Sequence, residues 1–263
     1  MSGTPRDPWQ FLSAHTTARI ALGRAGASLP TRELLAFELA HAQARDAVHA
    51  KMDRADLTAR VHALGVMTVE VESEAAARPV YLRRPDLGRR LSAASRDRLS
   101  ANAMPCDLVL IIGDGLSATA SAMYAPTVIA ALLPQITRLN LLLGPVVIAE
   151  GARVALGDEV GEILSAKLVA VLIGERPGLS AANSMSVYLT YNPRPGRSDA
   201  QRNCISNIRE GGLDPARAAL NLAWLIEAAL QMKVTGVTLK DRSDVLLSQE
   251  ARSAGSLKSP NDG

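Results

Sequence analysis

Three uninterrupted apolar runs decide what this chain can fold into: Leu108-Val109-Leu110-Ile111-Ile112, Val146-Val147-Ile148 and Leu168-Val169-Ala170-Val171-Leu172-Ile173. A strand with no polar alternate has no face to offer to water, so each run belongs in a sheet covered on both sides. Helix-like stretches separate them, from 117 to about 133 and from 158 to 167. Strand, helix and strand in alternation build a parallel sheet with helices on its faces. An earlier segment, Val66-Met67-Thr68-Val69-Glu70-Val71, is β-branched and roughly alternating, which predicts a partly exposed strand.

The flanks add helices. Pro30-Thr31 opens an Ala/Leu-rich stretch reaching about Lys51, with Thr31 as the expected N-cap. Leu35, Leu39 and Ala42 recur at three- to four-residue spacing while Arg32, Glu38, Arg45 and Asp46 fill other faces, the pattern of an amphipathic helix. Residues 188–191 read as an edge strand, and Asn192-Pro193-Arg194-Pro195-Gly196-Arg197 as a loop. Asp214-Pro215 predicts a last helix to Lys233, with Leu222, Leu225 and Ile226 buried and Gly236 ending it. The expected fold is α/β: a Rossmann-like open, mostly parallel sheet flanked by helices, with an N-terminal helical segment. The expected organisation is a helical segment over 1–60, an α/β body over 61–240 and a flexible tail over 241–263.

Composition removes several functions. Aromatic residues are 3% of the chain, too few for the stacking platforms on which single-stranded nucleic acid lies. Net charge is +3, from 29 basic and 26 acidic side chains spread along the sequence, so no basic block marks a nucleic-acid face. Cys106 and Cys204 stand far apart and outside any C-x-x-C spacing, which supports neither a disulfide framework nor a structural zinc site. With neither a signal-like N-terminus nor a long apolar stretch, a soluble cytosolic protein is expected.

Several motifs admit a functional and a plain reading. Gly113-Asp114-Gly115-Leu116-Ser117-Ala118 follows a strand and opens a helix, as the dinucleotide fingerprint does, so a stand-alone NAD-dependent enzyme is the alternative to weigh. The ribose-binding acid that should follow about 20 residues on is missing, since the nearest strand-end acid is Glu150. Asp114 also sets a carboxylate where pyrophosphate needs donors. The plain reading is a tight turn with Ser117 capping the helix. Glu175, in Gly174-Glu175-Arg176-Pro177-Gly178, sits at the sheet's carboxyl edge, where it either accepts hydrogen bonds from a ligand's amides or pairs with its Arg neighbour. Cys204 has no nearby His to activate it, which favours a small buried residue over a nucleophile. The run from Arg83 to Arg90 holds four arginines and one acid, Asp86. It offers phosphate contacts or, more simply, a solvated and locally paired surface. The histidines, His15, His41, His49 and His62, lack metal-ligand spacing.

Taken together, Gly23-Arg24-Ala25-Gly26, Tyr81-Leu82-Arg83-Arg84-Pro85-Asp86-Leu87-Gly88-Arg89-Arg90, Asp114-Gly115-Leu116-Ser117, Gly161-Glu162-Ile163-Leu164, Gly174-Glu175-Arg176-Pro177-Gly178-Leu179 and Cys204-Ile205-Ser206-Asn207-Ile208 resemble, in order and spacing, the small subunit of ethanolamine ammonia-lyase. The resemblance spans about residues 10–240. It implies an adenosylcobalamin-dependent lyase, inactive alone, in which a large partner subunit holds the substrate ethanolamine and the small subunit helps cover the corrinoid. Cobalt–carbon homolysis then starts radical chemistry that ends in acetaldehyde and ammonia. The family's corrinoid contacts map onto Val154 in Gly151-Ala152-Arg153-Val154, onto Glu175 and onto Cys204, and no catalytic residue carries over. A corrin ring fringed with neutral amides wants apolar surface and acceptors, which these positions supply. No Asp-x-His-x-x-Gly motif is present, so the cofactor is expected to keep its own dimethylbenzimidazole as lower ligand. The resemblance also admits a place inside a bacterial microcompartment.

Overall fold

The chain's continuous apolar runs lie side by side in the middle of a six-stranded sheet. The computed structural model describes residues 7–75, 77–101 and 103–240, so the expected tail over 241–263 falls outside the described residues. Its elements are α1 (Thr31–His49), α2 (Arg54–His62), β1 (Thr68–Glu72), α3 (Arg78–Arg83), α4 (Ala93–Ala101), β2 (Leu108–Gly113), α5 (Ala118–Arg138), β3 (Val146–Glu150), α6 (Leu156–Ile163), β4 (Leu168–Gly174), β5 (Met185–Tyr191), β6 (Asn203–Ile208) and α7 (Pro215–Met232). The strand order is β1-β3-β2-β4-β5-β6. The first four are parallel, β5 runs antiparallel to β4, and β6 antiparallel to β5. The fold is therefore mixed α/β with a mostly parallel sheet.

Every residue of β2 and β4 is buried, as strands without polar alternates require. One face packs on α2, α5 and α7 through Leu110, Ile112, Ile129, Leu172, Leu222 and Ile226. The other packs on α4 and α6 through Leu99, Ile111, Leu156, Val160 and Val171. Each such side chain, taken fully out of water, contributes about 1.5–3 kcal/mol. The edge strand β1 is only partly buried, as its alternation predicts.

Local chemistry sets the helix ends. Ser117 accepts from the Ala120 N–H at the start of α5, and Asp214 accepts from the Ala216 and Arg217 N–H groups at the start of α7. Several expectations need correction. Thr31 is the first helical residue of α1, and Pro30 is the N-cap. Helix α6 starts two residues before Asp158 and stops at Ile163, because Ser165 takes a left-handed conformation at φ 50°. Helix α7 runs to Met232 with the left-handed Lys233 as its C-cap, close to the expected end, and it is Lys233, not Gly236, that ends it. Residues 188–191 belong to an interior strand: β6 pairs outside β5 and is itself the edge. In α1, Leu35 and Leu39 are exposed, and burial is confined to Ala44 and Ala47 near the other end.

Candidate functional site

The turns after β2 and β4 interlock at the carboxyl end of the sheet. Leu116 N–H donates to the Gly174 carbonyl at 2.9 Å. A Cβ at Gly174 would run into the Ser117 carbonyl, and one at Gly115, whose φ is 56°, into the Gly174 carbonyl. The glycines are thus there for backbone-to-backbone contact. Asp114 is buried and turned inward: its Oδ1 accepts from the Gly115 and Ala152 N–H groups, both at 2.9 Å. Burial pushes this carboxyl up, against the pull of those N–H groups and of Arg78. A carboxylate occupies the donors a pyrophosphate would use, and the crevice between β2 and β4 is closed, so the dinucleotide reading is not favoured.

Glu175 leaves this interlocked turn toward β5. The Tyr188 hydroxyl donates to Glu175 Oε1 at 2.8 Å. Tyr188 lies opposite Val171 of β4 on one side and opposite Cys204 of β6 on the other. Strand β5 alternates, with Met185, Val187 and Leu189 in the α5–α7 core. Ser186, Tyr188 and Thr190 consequently point to the opposite face. Over β6 that face is open: Cys204 and Ser206 are exposed. This corrects the expectation of a buried Cys204. Desolvation raises its thiol, and the Glu175 charge adds to the rise, which works against thiolate formation. A bulge lies beside it, where Ser206 and the left-handed Asn207 interrupt the register opposite Ser186. Ser186 Oγ is fully buried and makes no hydrogen bond of ordinary geometry among the described residues.

Val154 stands in the turn between β3 and α6. It packs on the same apolar cluster that Tyr188 borders. The turn is clamped by Tyr81, whose hydroxyl donates to the Ala152 carbonyl at 3.1 Å and whose ring lies between the guanidinium groups of Arg78 at 4.8 Å and Arg153 at 4.2 Å. Arg153 N–H donates to the Gly88 carbonyl at 2.8 Å. The Tyr81–Arg90 run is therefore structural on its inner side. On its outer side Arg84 pairs with Asp86 at 2.7 Å, the local pairing expected.

A buried ion pair joins the two halves of the site. Arg202, two residues before Cys204, meets Asp158 in the first turn of α6 through two hydrogen bonds of 2.6 Å, and also donates to Thr190 Oγ1 at 2.9 Å. Both side chains are 1% exposed. Glu175 and Cys204 thus come together around Tyr188, and Val154 joins them through the shared cluster and this bridge. Tyr188 and Ser186 escaped sequence reading, although the alternation Met185-Ser186-Val187-Tyr188-Leu189-Thr190 held the signal of a strand with one polar face. A cavity of about 330 Å³ opens on the other side of β2, beside Arg78, Tyr81, Glu72 and Glu150; none of the three expected contacts lines it. Among the described residues no group of three or more His, Cys, Asp or Glu is placed to hold a metal ion.

Comparison with known proteins identifies the family. Residues 6–240 match the model of the family described as ethanolamine ammonia-lyase light chain (EutC). A protein of Bradyrhizobium diazoefficiens named ethanolamine ammonia-lyase small subunit is 54% identical over 241 residues, 91% of this chain and 92% of the relative. Proteins of the same name from Rhodopseudomonas palustris and Ralstonia nicotianae are 53% and 48% identical, each over 93% of its own length. The chain belongs to the ethanolamine ammonia-lyase light-chain, or small-subunit, family.

Proposed function

We propose that this chain is the small subunit of an adenosylcobalamin-dependent ethanolamine ammonia-lyase, and that the open face bounded by Val154, Glu175 and Cys204 covers part of the corrinoid where a large subunit docks. Family membership makes it a lyase subunit within a hetero-oligomer. The observation that carries the finer reading is Glu175: an oriented carboxylate beside an uncovered, polar strand face, with an apolar shoulder at Val154.

The residues fit such a group. A corrin periphery is amide-rich, and Glu175 can accept from an amide N–H. Cys204, kept as a thiol, contributes surface and backbone and no nucleophile. When bound, adenosylcobalamin supplies the cobalt–carbon homolysis that starts conversion of ethanolamine to acetaldehyde and ammonia. The chain's own part is to bind, orient and exclude water, and substrate is held by the large subunit. The absence of an Asp-x-His-x-x-Gly motif supports a chain that gives no imidazole to cobalt. The cofactor then keeps its dimethylbenzimidazole, and an electron spin resonance signal from a protein histidine nitrogen on cobalt would refute this.

The N-terminal segment over 1–60 gives the partner a surface, since the first half of α1 carries exposed apolar side chains. No described helix is long and apolar enough to cross a membrane. The reading places the complex in the cytoplasm, inside a microcompartment in hosts that build one.

The test is co-purification with the large subunit followed by titration with adenosylcobalamin. Glu175→Ala should weaken binding by about 1–3 kcal/mol, the cost of a ligand amide losing its charged acceptor. Unchanged affinity in a normally assembled complex would reject the site, and tight NAD binding by the lone chain would reject the function.

A further inference from the structure

We infer that Tyr188 is a positioning residue for corrinoid recognition: its hydroxyl fixes one oxygen of Glu175, so that the carboxylate presents its other oxygen to a cofactor amide. This rests on the function proposed above. The geometry that carries it is a row across three strands. Tyr188 sits between Val171 on β4 and Cys204 on β6, reaches Glu175 Oε1 at 2.8 Å, and borders the apolar cluster that also seats Val154. One side chain therefore meets two of the positions that the corrinoid would use, Glu175 and Cys204, and packs on the cluster that seats the third.

Glu175 needs such a partner. It stands just past the end of β4, its backbone N–H bonded to the Ser184 carbonyl at 2.8 Å, and is only partly buried. A glutamate there with no donor would spread over several rotamers, and binding would have to freeze them. A phenol held by the sheet removes that cost in advance. The direction of the bond is settled because partial burial, and then the hydrogen bond to Glu175, raise the Tyr188 hydroxyl beyond the ordinary tyrosine range, so it stays a donor. With Tyr188 engaging Oε1, Oε2 is left for the cofactor amide.

The test uses the complex of this chain with the large subunit, titrated with adenosylcobalamin and with cyanocobalamin. Tyr188→Phe keeps the ring and removes the donor. Its dissociation constants for both corrinoids should rise about three- to tenfold. Turnover at saturating cofactor should stay at the parent value, so that the apparent KM for cofactor rises and kcat does not. The effect should also vanish in a Glu175→Ala background, where no carboxylate remains to be held. Parent affinity in Tyr188→Phe beside weakened Glu175→Ala overturns this inference and leaves the proposed function standing. A loss that adds fully to Glu175→Ala also overturns it, since Tyr188 would then act by itself. Parent affinity in Glu175→Ala overturns the site and this inference together.

Discussion

At the scale of single residues, Cys204 shows how one position can be exposed and chemically quiet. Its thiol is reachable from solvent, whereas Cys106 is 6% exposed. Both are free. Cys204 is pushed up first by desolvation and then by the Glu175 charge, with Tyr188 and Ser186 pulling the other way. The reactive species is the thiolate, so iodoacetamide should label the native chain at one site, with a midpoint above the ordinary thiol value of about 8.5. Glu175→Gln removes a negative charge next to the developing thiolate while keeping an acceptor for Tyr188. The labelling midpoint should therefore fall toward the ordinary value. A midpoint that rises or stays fixed would show that Glu175 is not the charge Cys204 senses. Cys204→Ser, in the assembled complex, should bind corrinoid within about twofold of the parent if the backbone makes the contact, since Ser keeps size and polarity. A large loss without unfolding would assign the contact to sulfur.

At the scale of elements, α6 and β6 are held together by the Asp158–Arg202 pair, and this fixes the Val154 turn relative to Cys204. Two charges at 1% exposure are costly to bury and are tolerated because both carboxylate oxygens meet the guanidinium at 2.6 Å. Arg202→Met strands a buried carboxyl whose protonation burial already favours. The expected loss of stability in urea is about 3–5 kcal/mol. The double variant Asp158→Leu/Arg202→Met removes both charges and should lose markedly less. If the single variant loses under about 1 kcal/mol, or the double loses more than the single, the pair is not the clamp described. The central strands were legible in the sequence, because continuous apolar runs leave few other places to go, whereas the helix expected over 158–167 lies at Leu156–Ile163. The sequence did not reveal β6. Asn203-Cys204-Ile205-Ser206-Asn207-Ile208 is half polar and contains two asparagines, a residue type depleted in strands. Its bulge also breaks the alternation that would have betrayed it. With β6 unseen, β5 looked like an edge, and the polar face on which Tyr188 stands had no visible purpose. Glu175 stood out by its place in the turn after β4 and Cys204 as one of two cysteines, and the resemblance gave both their corrinoid role, while their common neighbour needed the register of two antiparallel strands.

At the scale of the whole molecule, the central strands are covered on both faces, while two surfaces stay open among the described residues: the sheet face over β6 and the first half of α1. The amphipathic spacing of Leu35 and Leu39 predicts a buried stripe, yet these residues are 58% and 59% exposed, with Leu34 and Phe37 exposed beside them. The reason is that α1 meets the body through Ala44 and Ala47 near its C-terminal end. Contiguous exposed apolar surface of this kind marks an interaction site in a soluble protein. Its relatives bear the name of a small subunit, so the cover expected here is the large subunit of the same enzyme. Leu35→Lys/Leu39→Lys separates that reading from an intramolecular role. Lysine is a good helix former and these positions make no core contact, so the lone chain should keep its denaturation midpoint, with a change of stability within about 0.5 kcal/mol. Co-elution with the large subunit should be lost or weakened at least tenfold, because two charged heads would have to be desolvated in an apolar seam. A destabilised lone chain would show that α1 packs against its own body, and undiminished co-elution would move the large subunit's footprint away from α1.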